Sequence, residues 1–391
     1  MTTGFLFQTT PSILSRSGAS GETGDILGKL GVTRALFVTD EGILAHGLAD
    51  PALASAKAAG IATDVYPGVV ADPPERVVFA ALEAARSLGA DGVVGLGGGS
   101  SLDVAKLVAY LMRSGEALEA IYGVGMCKGA RLPLVQIPTT AGTGSEVTPI
   151  SIITTGGAVK KGVVSPQLLP DGAILDAELT LGLPPAVTAA TGIDAMVHAI
   201  EAYTSKHRKN PLSDALAREA LRLLSGAIHT ACTDGGNAAA RADMLLGSLL
   251  AGMAFANAPV AAVHALAYPI GGHFKVPHGL SNAMVLAPVL RFNAEDPGAA
   301  ALYAELAPIV FPDRVGRDGR EPTAVLIEGL AGLAGELALD VRLSAAGISH
   351  NHLPMLAEDA MKQTRLLVNN PREVTERDAL AIYEEALGAA A

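Results

Sequence analysis

The sequence predicts an α/β N-terminal domain with a mostly parallel sheet, followed by an all-α C-terminal domain. The 391 residues are long for a single hydrophobic core, which favours two domains. As far as about Leu183, short β-branched runs alternate with helical runs, a pattern typical of a parallel sheet covered by helices. From Pro185 onward the patterns are helical and are separated by Gly, Pro and Asn breaks. We therefore predict domains at residues 1–183 and 184–391.

The composition fits a compact enzyme with much buried surface. Hydrophobic residues make up 50% of the chain and charged residues 17%, which argues against a disordered protein. The net charge of −11 and the pI near 5.3 argue against nucleic acid or an anionic membrane as a partner. Cys127 and Cys232 are too few for a disulfide framework, so we expect buried thiols in a reducing, cytoplasmic compartment. The N-terminal residues lack the charged region of a signal peptide.

One uncharged stretch, residues 244–272, is long enough to span a membrane. Asn257, Pro259 and His264 interrupt it, and lipid would leave the two polar side chains unpaired. We therefore predict a buried helix pair in a soluble domain.

The first elements of the N-terminal domain alternate between strand and helix. We predict strands at residues 34–40, 62–70 and 91–96, and a helix at residues 51–59. A further helix begins after Pro73 and Pro74 and ends before Gly89, because proline favours the first turn of a helix and glycine the position after its end.

A glycine turn follows the strand at residues 91–96 and leads into a helix that opens near Ser101. Glycines let the backbone approach a pyrophosphate closely, and the free N–H groups of a helix start bind it. This pattern indicates a Rossmann-like dinucleotide-binding domain, although a plain tight connection would look the same. The usual GxGxxG fingerprint is incomplete, because a serine fills its third glycine position. The turn consists of Gly97, Gly98, Gly99 and Ser100.

A second loop, rich in Thr, Gly and Ser, follows the next predicted strand and precedes hairpin-like strands. Its hydroxyl groups at Thr139, Thr140 and Thr143 could contact a cofactor, but loops of this composition are also common without a ligand.

The C-terminal domain contains four metal-ligand side chains in apolar surroundings. Asp194 and His198 stand four residues apart, which places them on one face of one helix. His264 lies in another apolar helical run, and His278 in a predicted Pro-His-Gly loop. Each histidine alone is more simply explained as a hydrogen-bonded core residue. The three histidines and the aspartate together, however, would be costly to bury without a common cation. Three imidazoles and one carboxylate suit Fe²⁺ or Zn²⁺ better than Ca²⁺ or Mg²⁺.

The remaining C-terminal residues are predicted to form helices and a solvated loop at residues 315–322. The predicted helices are at residues 185–205, 212–230, 237–257, through His264, and at 280–291, 299–309, 322–338, 352–367 and 376–388.

At these motifs the chain resembles the iron-dependent (type III) alcohol dehydrogenases, which have the dehydroquinate synthase-like superfold. The Asp-x-x-x-His pair, the His-Ala-Leu-Ala run, the Pro-His-Gly segment and the Pro-Thr-Thr-x-Gly-Thr-Gly-Ser-Glu-Val-Thr loop occur in the family's order, and the match covers nearly the whole chain. The resemblance implies a metal held by Asp194, His198, His264 and His278. It also implies a nicotinamide dinucleotide and a cleft between the domains as the place of reaction.

The resemblance further implies a set of cofactor contacts. Asp40, at the end of the first predicted strand, would bind the adenosine ribose and disfavour NADP, so NAD is expected; on local sequence alone it is a turn residue before Gly42. Asp72 stands where relatives often have Asn, which leaves its contact less secure. The implied cofactor-binding residues are Asp40, Asp72, Gly97, Gly98, Gly99, Ser100, Asp103, Thr139, Thr140, Thr143 and Lys160.

By the same resemblance the enzyme transfers hydride between a small alcohol, or its aldehyde or ketone, and NAD(H). Many relatives carry a histidine four residues after the third metal ligand as a proton relay, whereas this chain has Tyr268. A tyrosine relays a proton only where its high intrinsic pKa is lowered. His273 is a second relay candidate, or else a partner of a ligand or a surface residue. Phe255 is expected to limit substrate size.

Several alternatives stay open. Glycerol dehydrogenases, maleylacetate reductases, hydroxyacid–oxoacid transhydrogenases and dehydroquinate synthase share the architecture. A metal-storage protein without catalysis would leave Asp40 and the two cofactor loops unexplained. The family also implies a homodimer, because edge strands near the N-terminus often pair in it.

Overall fold

The computed structural model describes residues 4–156, 159–317 and 319–388, and these residues form two compact units. One unit, Gln8–Gly182, is built around parallel β-strands. The other contains residues 183–388 together with residues 4–7 and is helical. We call them the α/β unit and the helical unit.

The α/β unit contains a six-stranded sheet in which every neighbouring pair is parallel, as predicted. The strands of this unit are β1 (Ile13–Ser15), β2 (Arg34–Val38), β3 (Ala62–Tyr66), β4 (Gly92–Gly97), β5 (Gly123–Val124), β6 (Leu134–Pro138), β7 (Ile150–Thr155), β8 (Val159–Val164) and β9 (Gly172–Leu175). The order in the six-stranded sheet is β1-β9-β6-β4-β2-β3. A second sheet has the order β5-β8-β7, in which β7 and β8 form the predicted antiparallel pair.

Helices cover both faces of the six-stranded sheet, because the buried strands carry apolar side chains on both sides. The helices of this unit are α1 (Thr23–Lys29), α2 (Glu41–Ala45), α3 (Asp50–Ala58), α4 (Glu75–Leu88) and α5 (Gly99–Ser114). Leu36 and Val38 of β2 belong to the same core cluster as side chains of α4 and α5, whereas Ala35 and Phe37 belong to a cluster with side chains of α1 and α3.

Local sequence explains most of these boundaries. Helix α4 starts after Pro74 and ends at Gly89, whose φ of 64° is the left-handed cap that glycine favours. The strand predicted at residues 62–70 was too long: β3 ends at Tyr66, before Pro67, which has no N–H to donate to a ladder. Helix α2 was not predicted.

The helical unit contains no β-strand within its described residues, as predicted. Its helices are α6 (Pro185–Thr204), α7 (Pro211–Thr233), α8 (Ala238–Asn257), α9 (Ala262–Phe274), α10 (His278–Ala294), α11 (Pro297–Val310), α12 (Pro322–Glu336), α13 (Leu353–Met361), α14 (Thr364–Leu367) and α15 (Glu376–Gly388). Helix α6 packs against α7, α8 and α10, and α9 packs against α10 and α13.

Two predicted segments of this unit, a helix and a loop, differ from the structure or lie partly outside the described residues. The single helix predicted at residues 352–367 is wrong, because Gln363 adopts a non-helical ψ of 46° and separates α13 from α14. The loop predicted at residues 315–322 includes Asp318, which lies outside the described residues.

The uncharged stretch at residues 244–272 forms most of α8 and most of α9. Helix α8 has the length and composition to cross a membrane, but 61% of its apolar window is buried inside the protein, as in the core helix of a soluble protein. Cys127 and Cys232 are both buried and unpaired with one another, as expected.

Candidate metal centre and cofactor groove

Three helices bring the four predicted ligands together. Asp194 and His198 lie one turn apart on α6, and His264 is the third residue of α9. The prediction that His278 lies in a loop is wrong: it is the first residue of α10, and Pro277 precedes it at the cap position. Proline suits this place, since its fixed φ and missing N–H cost nothing at a helix start.

The ligand atoms of these four side chains all lie within 4.8 Å of one another. Asp194 and His264 are each 2% exposed and His198 is 5% exposed, while His278 is partly buried. A carboxylate and three imidazoles in such surroundings are costly unless a charge compensates them.

The donor set and its spacing fit a divalent transition-metal ion. Ligands about 2.0–2.2 Å from a tetrahedral ion lie about 3.4 Å from one another. The His198 and His264 Nε2 atoms are 3.0 Å apart, the His278 Nε2 atom is 3.6 Å from the Asp194 Oδ1 atom, and the His264 Nε2 atom is 3.9 Å from it. These separations bracket the expected value. Three nitrogen donors and one oxygen donor suit Fe²⁺ or Zn²⁺.

Gly279 permits the close approach of α10 to α6 that places His278 beside Asp194. A Cβ atom at this position would lie 2.3 Å from the Ala190 carbonyl oxygen and 3.2 Å from the Asp194 Cβ atom. Only a residue without a side chain therefore allows this packing.

Glu201 belongs to the site, although its sequence context did not predict it. It lies on α6, three residues after His198, and is 4% exposed. Its Oε2 atom is 2.6 Å from the His264 Nδ1 atom, and its Oε1 atom accepts a 2.7 Å hydrogen bond from the Val263 N–H. The available signal was a carboxylate on the same apolar helix as the first two ligands.

Asn282 was also missed. It lies one turn after His278 on α10 and is fully buried. Its Nδ2 atom donates to the Asp194 Oδ1 atom at 2.6 Å and lies 3.3 Å from the His264 Nε2 atom. Its Oδ1 atom is buried and has no hydrogen-bond partner among the described residues. Buried polar atoms are normally paired, and this unpaired oxygen belongs to the side chain that donates to Asp194.

The three residues suggested for catalysis or substrate selection have different surroundings. The Phe255 ring stacks on the His198 ring, with centroids 4.3 Å apart and planes 17° apart. The Tyr268 ring centroid lies 5.8 Å from that of His278. The His273 Nε2 atom is 2.5 Å from the Asp359 carboxylate on a half-exposed surface. Thus Phe255 and Tyr268 each contact a ligand ring, and His273 is held by Asp359.

In the α/β unit, the sheet topology predicts where a dinucleotide binds. The chain leaves β2 toward β3 on one side and leaves β4 toward β6 on the other. A ligand crevice forms outside the carboxyl ends of two strands at such a switch point. A groove of about 550 Å³ occupies this place. The residues around it include Asp40, Glu41, Gly42, Gly68, Gly98, Gly99, Ser100 and Ser101.

The glycine turn is shaped for close backbone approach. Gly97 has φ 145°, and a Cβ atom there would lie 2.8 Å from the Ser101 hydroxyl and 3.5 Å from the Asp40 carboxylate. Helix α5 begins at Gly99 with no side chain bonded to its cap, so its first N–H groups are available to an anion. Asp40 itself caps α2 by accepting a hydrogen bond from the Ile43 N–H.

The threonine loop packs against this turn. The Thr139 N–H donates to the Gly97 carbonyl, and a Cβ atom at Gly99 would lie 2.7 Å from the Thr143 methyl group. Thr140 is the nearest neighbour of the corresponding position at Gly98, at 3.8 Å. The structure therefore brings together the two loops singled out in the sequence.

Asp103 holds the threonine loop from behind. Its carboxylate accepts hydrogen bonds from the Ser145 hydroxyl at 2.6 Å and the Ile152 N–H at 2.8 Å. The Lys106 ammonium group lies 3.6 Å away and donates to the same serine. Burial raises the pKa of Asp103 and lowers that of Lys106, and the attraction between the two groups opposes both shifts.

Asp72 and Lys160 form an ion pair of 2.7 Å. Asp72 has a left-handed φ of 50°, a conformation that is uncommon for a non-glycine residue. The Asp72 carbonyl accepts a hydrogen bond from the Thr154 hydroxyl of β7, which ties this turn to the second sheet.

Comparison with known proteins adds sequence and structural relatives over nearly the full length. The family described as iron-containing alcohol dehydrogenase matches residues 10–177, and the C-terminal part of the Fe-containing alcohol dehydrogenase family matches residues 188–387. Long-chain-alcohol dehydrogenase 1 of Geobacillus thermodenitrificans strain NG80-2 is 39% identical over 92% of this chain and 90% of its own.

Solved structures agree with this match. A 1,3-propanediol oxidoreductase is 33% identical and superposes with a TM-score of 0.94, covering 98% of this chain and 100% of its own. Sulfoacetaldehyde reductase from Bifidobacterium kashiwanohense, solved in complex with NAD⁺, is 26% identical with a TM-score of 0.88 and covers 99% of both chains.

Proposed function

The chain belongs to the family of iron-containing alcohol dehydrogenases, and on that premise we propose that it interconverts a small alcohol and its aldehyde or ketone, with NAD(H) as hydride carrier. It is an oxidoreductase like its relatives. The observation that carries the proposal is the buried cluster of Asp194, His198, His264 and His278, whose ligand atoms lie within 4.8 Å of one another.

These four side chains would hold a divalent metal ion, and Fe²⁺ is the ion we propose. Zn²⁺ fits the same donors, and membership of an iron-containing family favours Fe²⁺. When bound, such an ion supplies Lewis-acid polarisation of a substrate oxygen. The chain contributes the alignment of the ligands: α6 fixes two of them at helical spacing, and Gly279 lets α10 deliver the fourth.

Several residues would bind NAD(H) in the groove at the ends of β2 and β4. Asp40 and the glycine turn border the groove, and the uncapped start of α5 offers N–H groups to the pyrophosphate. The Asp40 carboxylate would accept hydrogen bonds from the ribose hydroxyl groups and repel the additional phosphate of NADP. The NAD⁺ bound in a structural relative supports this choice. Thr139, Thr140 and Thr143 line the same turn, while Asp72 and Lys160 would approach the cofactor as a pair.

Tyr268 is the residue we propose to pass on the substrate proton. It lies one helical turn after His264, and its ring is next to that of His278. We assign no proton transfer to His273, because its Nε2 atom is bound by Asp359. Phe255 would restrict the space near the metal, since its ring lies flat on that of His198.

We further propose a cytoplasmic homodimer. The three-residue strand β1 forms one edge of the six-stranded sheet, and Ile13 on it is 38% exposed, so a second copy could pair there. The two unpaired cysteines suit a reducing compartment. Light scattering during size-exclusion chromatography tests the dimer; a mass near that of one 39.6 kDa chain would contradict it.

The experiment that tests the proposed activity is metal removal and replacement. Purified protein is stripped with a chelator, reloaded with Fe²⁺ or with Zn²⁺, and assayed by NADH absorbance against a panel of alcohols and aldehydes. We expect turnover to return with one of the two ions and to be absent in His264→Ala. Metal and NAD binding without turnover on any substrate would overturn the dehydrogenase assignment.

A further inference from the structure

Glu201 occupies a position behind the metal ligands where its carboxylate makes two contacts at once. Its Oε2 atom lies 2.6 Å from the His264 Nδ1 atom, and its Oε1 atom accepts the Val263 N–H at 2.7 Å. Both contacts are buried, and the residue is 4% exposed. The carboxylate of one helix, α6, is therefore bound to the first turn of another, α9.

We propose that Glu201 is a positioning residue that fixes the tautomer and the orientation of His264 for metal binding. A carboxylate only accepts hydrogen bonds, so the His264 Nδ1 atom must carry the imidazole proton. The unprotonated Nε2 atom then faces the cluster, 3.0 Å from the corresponding atom of His198. This inference rests on the proposed metal site and adds a residue that lies outside the ligand group.

The second contact explains why a carboxylate suits this position. The N-cap residue of α9 is Ala261, whose side chain cannot accept a hydrogen bond. The Val263 N–H in the first turn instead donates to Glu201 on α6. The N-terminus of a helix favours negative charge. Glu201 thus holds both the backbone that carries His264 and the ring itself.

Glutamine cannot reproduce this pair of contacts. If the carboxamide oxygen of Glu201→Gln accepts the Val263 N–H, its NH₂ group faces the His264 Nδ1 atom. The imidazole proton must then move to the Nε2 atom, which is the atom proposed to bind metal. Partners that orient metal-ligating histidines typically contribute about 10- to 100-fold to metal affinity. We expect a loss of that size in Glu201→Gln.

The test measures Co²⁺ affinity by chelator competition and the visible spectrum of the bound ion. Glu305→Gln is the matched control, because Glu305 lies in the same unit and its carboxylate is bound by the Tyr203 hydroxyl, which is not one of the four ligands. Glu201→Gln should weaken binding about 10- to 100-fold and change the spectrum, whereas Glu305→Gln should do neither. In a His264→Ala background Glu201→Gln should have no further effect, since its action passes through that ring.

Two outcomes separate this inference from the proposed function. If the wild-type protein binds no Co²⁺, the metal site itself is wrong. If the wild type binds Co²⁺ and Glu201→Gln binds it equally well, only the role of Glu201 is overturned. Nitrogen NMR of ¹⁵N-histidine-labelled, metal-free wild type shows which imidazole nitrogen carries the proton. This measurement does not depend on the folding of the Glu201→Gln variant. With His264→Gln used for assignment, a proton on the His264 Nε2 atom would refute the proposal.

Discussion

Replacing Gly279 by alanine tests how the fold delivers His278 to the metal cluster. The new Cβ atom would lie 2.3 Å from the Ala190 carbonyl oxygen, about 1 Å closer than the 3.4 Å at which ordinary van der Waals contact begins. The carbonyl belongs to the backbone of α6, so relief requires the start of α10 to move away by about that distance. His278 moves with it, and metal sites tolerate deviations of only about 0.2 Å.

The expected loss of metal affinity follows from the free energy needed to restore the native packing when metal binds. Overpacking of this kind costs about 1–3 kcal/mol, which corresponds to a loss of about 5- to 150-fold in metal affinity. Chelator competition with Zn²⁺ or Co²⁺ measures it. Gly226→Ala on α7 is the control, because its Cβ atom would meet nothing within 4 Å. If Gly279→Ala binds metal as tightly as Gly226→Ala, the close approach of α10 is not what positions His278.

Three further predictions concern the α/β unit. Gly97→Ala should lower the thermal-unfolding midpoint and weaken NAD⁺ binding, because its φ is 145° and its Cβ atom would lie 2.8 Å from the Ser101 hydroxyl; Gly98→Ala, with 3.8 Å of space, should lower the midpoint less. Asp40→Asn keeps a side chain that can cap α2 but removes the negative charge. Binding titrations should therefore show a smaller preference for NAD⁺ over NADP⁺ than in the wild type. An unchanged ratio of the two affinities would refute the role of that charge. Burial raises the pKa of Glu146 from 4.5 to about 7. The protonated Glu146 side chain therefore stabilises the folded protein fully below about pH 4.5. This contribution to the free energy of unfolding, up to about 3 kcal/mol, is lost as pH rises through 7. In Glu146→Gln the unfolding midpoint should fall less between pH 5 and pH 8 than in the wild type, and equal falls in both proteins would contradict this.

Local sequence predicted those elements whose ends are marked by residues with strong conformational preferences. Helix α6 was expected at residues 185–205 and is found at Pro185–Thr204, since proline marks its first turn. Helix α8 was expected to begin at Asn237, and that side chain caps it. By contrast, α2 has five residues and depends on the Asp40 cap, and no periodic pattern can appear over so short a length.

The metal ligands were predictable because their residue types are unusual in apolar segments and two of them share a helical spacing. Their partners were not. Glu201 and Asn282 join the cluster only because α6, α9 and α10 pack against one another, and sequence spacing does not specify which faces meet. His278 was misplaced in a loop because glycine after proline and histidine usually signals a turn. Here Gly279 instead allows close packing of a helix start.

X-ray absorption at the metal edge of the reconstituted enzyme tests the central claim most directly. The spectrum should show a first shell of nitrogen and oxygen atoms at about 2.0–2.2 Å with the scattering pattern of several imidazole rings, and no sulfur. In His264→Ala the imidazole contribution should fall. A sulfur shell near 2.3 Å, or a shell of oxygen atoms without imidazole, would place the metal elsewhere and contradict the assignment of Asp194, His198, His264 and His278.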